Sequence, residues 1–197
     1  MIGHLVSAAY PSWPIHSCGL DQSESAFRMI IPILQVVSRF LVAVAMSLPL
    51  AHALELPGKM RLDKETYIAV QAIYYPGFTY GGLGEGLGML TTLVLLLMTP
   101  ISRPAFWWTL TGLVSLMAMQ AVYWVVTHPV NKFWLKDISL KGLGGGFFSL
   151  DPMKQGAASE DGSEGWRRLR DRWEYSHVFR AVLAVIALIA LIIAIAI

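Results

Sequence analysis

Charge is scarce in this chain. Asp, Glu, Lys and Arg make up 14% of its 197 residues, where a soluble domain carries about 25%. The small net charge of +2 gives no reason to expect nucleic acid as a partner. Cysteine is nearly absent. Cys18 stands alone, which excludes an intramolecular disulfide framework and a CxxC metal knuckle. A di-iron bundle repeats a Glu-x-x-His pair on two helices, and the chain has one such pair, Glu174/His177, so a di-iron bundle has no support. The run Gly142-Leu143-Gly144-Gly145-Gly146 lacks the Gly-Lys-Ser/Thr that a phosphate loop needs. The first residues show no basic start followed by an unbroken apolar core, and no cleaved signal peptide is expected.

Apolar residues are what the chain has. They account for 55% of it, and mean hydropathy is +0.56. Both values point to an integral membrane protein whose main partner is the lipid bilayer. The expected fold is all-α, a membrane-embedded four-helix bundle with an extra short interfacial helix after the first span. Residues 1–27 read as an irregular or interfacial tail, and residues 28–197 as a single four-span domain. The spans are expected near 29–55, 78–99, 105–127 and 176–197, since a helix needs about 20 apolar residues to cross.

Punctuation residues mark the connections. Pro57-Gly58 is expected to stop the first span. Asp63 is a plausible N-cap for a short helix reaching Tyr75. Gly77/Gly81, Gly82/Gly86 and Gly84/Gly88 form small-xxx-small pairs that let helices approach. Residues 132–165 read as a loop. A charged helix at 163–177, capped by Ser163, is expected to continue into the last span. Eleven Lys and Arg flank the spans on the side of the two long loops, against Arg28 and Arg103 on the other. The positive-inside rule then puts the long loops in the cytoplasm and both termini outside.

The last helix carries the most informative pattern. Trp166, Arg170, Trp173, His177 and Arg180 are spaced 4, 3, 4 and 3 apart, which places them on one helical face. The four-span arrangement brings further polar residues to the same end: His52 and Glu55, Tyr80 and Glu85, His128 and Asn131. Ionisable residues at membrane depth are expensive and mark a site by default. The structural alternatives are snorkelling for His52, loop contacts for His128 and a counter-ion role for Glu85. Arg39, deep in the first span, is expected to meet an acceptor on another helix, with Glu85 the leading candidate.

The segment His128-Pro-Val-Asn131, a loop, and then Trp166-Arg-Arg-Leu-Arg170-Asp-Arg-Trp173-Glu-Tyr-Ser-His177-Val-Phe-Arg180 before an apolar helix resembles the anthrone-oxygenase-like family of small four-helix membrane proteins. Ala51-His52-Ala53-Leu54-Glu55-Leu56-Pro57-Gly58-Lys59 and Gln71-Ala-Ile-Tyr-Tyr75 are similar to its bacterial branch. The resemblance implies oxidation of an anthrone to an anthraquinone by O2 with no dedicated cofactor. It singles out Asn131, Trp173, His177 and Arg180. On this reading His177 is the catalytic base, with Arg180 and Asn131 as catalytic oxyanion donors. Trp173, Tyr74, Tyr123, His52, His128 and Glu85 would bind a hydrophobic aromatic substrate. Two other classes compete. One is a non-enzymatic subunit bound to membrane-protein partners. The other is a metal-binding bundle using His52, His128, His177 and Glu85.

Overall fold

The structure, a computed structural model, describes residues 18–75, 77–134, 146, 150, 152 and 165–197. Residues 1–17, the glycine-rich connection and the Ser163 cap lie outside them. The described residues are almost wholly helical. Helix α1 runs Cys18–Lys59, α2 Lys64–Gln71 with a 3-10 turn Ala72–Tyr74, and α3 Gly77–Met98. Helix α4 runs Pro104–Val122 and passes through a π-helical turn, Tyr123–Thr127, into α5, His128–Trp134. Helix α6 runs Gly165–Ala196. Four helical stretches are long and apolar enough to cross a membrane: Met29–Lys59, Gly77–Met98, Pro104–Trp134 and Gly165–Ala196. The protein is an all-α membrane bundle.

Several boundaries differ from the sequence expectation, each for a local reason. Residues 18–27 are helical and continuous with the first span, not irregular. Pro57-Gly58 does not stop α1 at once: proline removes its own N–H, but the helix completes its turn and ends at Lys59. Asp63 caps α2 as expected, its side chain accepting from the Thr66 amide at 2.8 Å. The third span continues to Trp134. Pro129 has no N–H to give the Val125 carbonyl, and the helix widens just before it. The freed Val125 oxygen accepts instead from Arg172 Nη2 at 3.1 Å.

The helices form a ring in which α1 packs on α3 and α6, and α4 packs on α6. The α3–α4 seam is the least extensive of the four. One half of the bundle is closely packed. Val42, Leu116, Met119, Ala184, Ala187 and Leu191 are its buried core. A Cβ on Gly112 would lie 3.0 Å from Leu191 Cδ2, so α4 and α6 touch backbone to side chain there. Arg39 belongs to this half. Its guanidinium reaches the Leu191 carbonyl on α6 and the Gln35 carbonyl on its own helix. It therefore meets an acceptor on another helix, but not Glu85, whose carboxylate is engaged elsewhere. A carbonyl near a helix C-terminus sits at the negative end of the helix dipole, which suits a cation.

The glycines of α3 divide into two sets. Added Cβ atoms on Gly81, Gly84 and Gly88 would lie 2.8 Å from Leu48 Cδ2, 3.3 Å from Val44 Cγ1 and 3.4 Å from Val42 Cγ2. These glycines seat α3 on α1. Gly82 and Gly86 would meet nothing within 4 Å. The Gly82/Gly86 pair is therefore not a packing seam, contrary to the expectation for it.

Candidate active site

The bundle is hollow at the end where α1 stops and α3 begins, here called the polar end. A cavity of about 490 Å³ lies there, lined by residues of α1, α3, α4, α5, α6 and the 3-10 turn. Its size is within the ~300–1,000 Å³ usual for small-molecule sites. Most of its wall is apolar: Leu48, Phe78, Leu83, Leu87, Met89 and Leu90. The polar groups gather in one region, formed by His52, Glu85, Gln120, Asn131, His177 and Arg180.

An ion pair holds that region together. Arg180 Nη2 donates to Glu85 Oε1 at 2.6 Å, and Gln120 Nε2 donates to Glu85 Oε2 at 2.6 Å. Both oxygens of the buried carboxylate are thus paired, as burial requires. Arg180 also lies over the Tyr123 ring, 4.9 Å from its centroid, a cation–π contact. Its Nη1 is 3.3 Å from His177 Nδ1. A guanidinium can only donate, so His177 Nδ1 accepts and the ring proton sits on Nε2. That Nε2 is buried and has no partner among the described residues, as is Arg180 Nε. In this tautomer His177 presents an N–H to the cavity side, whereas the family resemblance implied a base.

Rings build the rest of the polar end. His52 packs on Tyr74, Phe78, Trp173 and His177 with centroids 4.5, 5.0, 4.7 and 4.1 Å away. Trp173 Nε1 donates to Asn131 Oδ1 at 2.6 Å, which fixes Asn131 and leaves that oxygen engaged. Behind these rings stands a second network. Lys59 Nζ is 2.9 Å from His52 Nδ1, 2.9 Å from Glu55 Oε2 and 3.6 Å from Glu174 Oε1. The ammonium donates to His52, so this ring also carries its proton on Nε2. Tyr67 donates to Glu174 at 2.9 Å and Tyr74 to Glu55 at 2.6 Å. Burial pushes both tyrosine hydroxyls up from their ordinary range, and the carboxylates they face push them further. Both remain donors.

Of the residues singled out in the sequence, His52, Tyr74, Glu85, Tyr123, Asn131, Trp173, His177 and Arg180 all line the cavity. His128 does not. Its Nε2 bonds the Leu150 carbonyl at 2.7 Å, and its other nitrogen lies 3.4 Å from the Tyr123 hydroxyl. It holds the chain after α5 against the wall. The proposed metal set of His52, His128, His177 and Glu85 is therefore not assembled: among the described residues no group of at least three His, Cys, Asp or Glu is gathered as a metal would need. Tyr80 is exposed at 55% and outside the cavity. Reading the sequence missed Gln120, Lys59 and Glu174. Gln120 had a signal, as a lone amide in an apolar span. Lys59 and Glu174 passed as ordinary charges of a loop and a solvated helix, yet they are 4% and 0% exposed.

Among known families there is a match. The family model described as anthrone oxygenase covers residues 72–190. No curated protein matches the chain, and no solved structure does. The family match spans more than half of the chain and includes most of the cavity wall, and the chain belongs to the anthrone oxygenase family.

Proposed function

We propose, starting from that membership, that this membrane protein oxidises a lipophilic aromatic carbon acid of the anthrone type with O2. The observation that carries the reading is the Glu85–Arg180–His177 cluster, buried at the polar end of an otherwise apolar cavity, with His177 Nε2–H lacking a partner among the described residues. An anthrone offers a ring system for the apolar wall, an acidic methylene for a base and a carbonyl for donors. Each Glu85 oxygen accepts one hydrogen bond, from Arg180 or from Gln120, and keeps a second lone pair, on which the carboxylate takes the methylene proton. The electron pair spreads onto the carbonyl oxygen, where His177 Nε2–H and Arg180 stabilise the oxyanion. The carbanion passes electrons to O2, a C–O bond forms, and the peroxide oxygen takes up a proton. Loss of the second methylene hydrogen breaks the O–O bond and releases water. The carbon loses four electrons and O2 gains four, so anthrone and O2 give anthraquinone and water with no further reductant. Trp173, Tyr74 and Tyr123 wall the rings. By the charge asymmetry of the loops, the polar end faces the cytoplasm.

The test uses purified protein in phosphatidylcholine nanodiscs with anthrone and a defined supply of O2. One anthraquinone is expected per O2 consumed. Glu85→Gln should lower turnover by about 10²–10⁴-fold, the usual contribution of a positioned base. His177→Ala should cost about 10²–10³-fold, as loss of an oxyanion donor does, while His177→Gln, which keeps an N–H, should recover most of it. Equal inactivity of His177→Gln and His177→Ala, with Glu85→Gln active, would return the base to His177. A wild-type protein that never turns over anthrone, and whose His177→Ala variant merely loses stability or partner binding, overturns the enzymatic reading in favour of a structural subunit.

A further inference from the structure

Among the described residues, the cavity has an aromatic wall at its polar end and an outward-facing wall on α3. At the polar end Tyr67, Tyr74, Trp134, Trp166 and Trp173 form one buried aromatic cluster, with the Lys59–Glu174 pair beside it. The wall on α3 is different. Leu83, Leu87 and Leu90 line the cavity and are also 59%, 51% and 55% exposed, so a single row of side chains faces both the interior and the outside. Gly86 lies in that row, exposed, and a Cβ there would meet nothing within 4 Å. Leu87 stands ten residues into a 22-residue apolar helix. That is about 15 Å along a span of about 33 Å, near the middle of a bilayer. The seam bordering this row is α3–α4, the least packed of the ring. An opening at that depth faces acyl chains and not water.

We propose that the gap between α3 and α4 at Gly82, Gly86, Leu83, Leu87, Leu90 and Trp124 is a lateral portal through which a membrane-dissolved aromatic ligand reaches the cavity. The inference rests on the oxygenase reading only for what happens to the ligand afterwards. It assigns a substrate class by phase: a molecule drawn from the hydrocarbon core of the bilayer, flat enough to pass beside two glycines, with its polar group leading towards Glu85 and Arg180. The glycines follow from this. A side chain at Gly86 would stand in the passage, whereas those at Gly81 and Gly84 would only strain the α1 contact.

Anthracene, which fits the wall but has no acidic methylene, tests the portal without chemistry. Cys18 is the single cysteine, so Cys18→Ser gives a background for placing one thiol. Leu87→Cys is labelled with N-phenylmaleimide after reconstitution in phosphatidylcholine nanodiscs, with Leu97→Cys, at a position 77% exposed and outside the cavity lining, and Tyr75→Cys at the polar end as comparators. Association of anthracene is followed by stopped-flow fluorescence. The label at Leu87 should slow association by about tenfold or more, within the roughly one to three decades over which such rates vary among variants of one site, with little change for Leu97. An unchanged rate at Leu87, or slowing only at Tyr75, overturns the portal and leaves the oxygenase reading intact. Saturable anthracene binding that is slowed at Leu87, in a protein that never oxidises anthrone, keeps the portal and removes the oxygenase. Absence of saturable binding by every form overturns both.

Discussion

Away from the cavity, α4 and α6 meet across Gly112, Ala187 and Leu191, and a methyl group at Gly112 would fit only if Leu191 shifted. At the polar end the same two spans still meet, Thr127 Oγ1 lying 2.8 Å from Ser176 Oγ, but their Tyr123, Trp173 and Arg180 side chains border a cavity large enough for a ligand. The first half gains its stability from close packing, as a membrane bundle must when lipid is as apolar as its side chains. The second half spends packing on a cavity and replaces it with paired charges. Polar pairing in a membrane interior is unforgiving, because a lost partner leaves a bare charge with no water to receive it. The two halves should therefore fail differently.

The largest effect is expected where the charges are. Arg180→Met leaves the Glu85 carboxylate with Gln120 alone, and an uncompensated buried charge costs about 3–5 kcal/mol. Adding Glu85→Gln to Arg180→Met removes the orphan and should restore most of the loss. Detergent-driven unfolding of both variants and of Glu85→Gln alone completes the cycle. If Arg180→Met and the double variant lose the same stability, the two ends are held by the same kind of packing and the contrast fails.

The glycines sharpen the contrast at a smaller scale. Gly112→Ala brings a methyl group 3.0 Å from Leu191, and overpacking of this kind costs about 1–3 kcal/mol. Gly86→Ala meets open space. Alanine is the better helix former by about 0.8–1.0 kcal/mol, so this variant should unfold no more readily than the parent. Thermal midpoints in one detergent decide between the outcomes. A Gly86→Ala protein as damaged as Gly112→Ala would mean that both glycines sit in packed seams.

Much of the bundle was legible because the bilayer imposes length and polarity on each span. Apolar runs located the four spanning helices, and the 3/4 spacing put Trp173, His177 and Arg180 on one side of α6, where all three reach the cavity. The parts that were not legible depend on partners far away in sequence. Nothing near Glu85 distinguishes Arg180 from Arg39 as its cation; the ring order of the helices decides it. Nothing in Gly-x-x-x-Gly tells which pair meets α1 and which meets empty space. The π-helical turn was not legible: the third span was expected to end near 127, and the donor that answers the Val125 carbonyl, Arg172, lies on α6.

Tyr67→Phe probes the wall behind the cavity. Tyr67 is fully buried and donates to Glu174, which is also fully buried. Removing one hydroxyl leaves Glu174 with the more distant Lys59 at 3.6 Å. The cost should be about 1–2 kcal/mol, the loss of a buried donor to a charged group, and smaller than that of Arg180→Met because the carboxylate keeps a cation. A loss as large as that of Arg180→Met would show that the aromatic cluster, and not only the Glu85 pair, governs stability at this end.

The smallest effect belongs to the turn that leads α2 across the polar end. The Asp63 carboxylate accepts from the Thr66 amide at 2.8 Å, and this bond holds its pKa below the ordinary aspartate value of 3.8. The folded pKa is the depressed one, so the cap contributes fully above the unfolded value and is lost as the pH falls through the folded one. Asp63→Asn keeps an acceptor oxygen but cannot titrate. Amide exchange at Thr66 should therefore accelerate in the parent as the pH drops below 3.8, after correction for intrinsic exchange, and stay level in Asp63→Asn. Asp63→Ala should exchange fast at every pH. Because the side chain is fully in water, none of the three should alter anthracene binding or the stability of the spans. A change in either would tie the α2 cap to the cavity and extend the charge-dependent half of the molecule beyond the membrane.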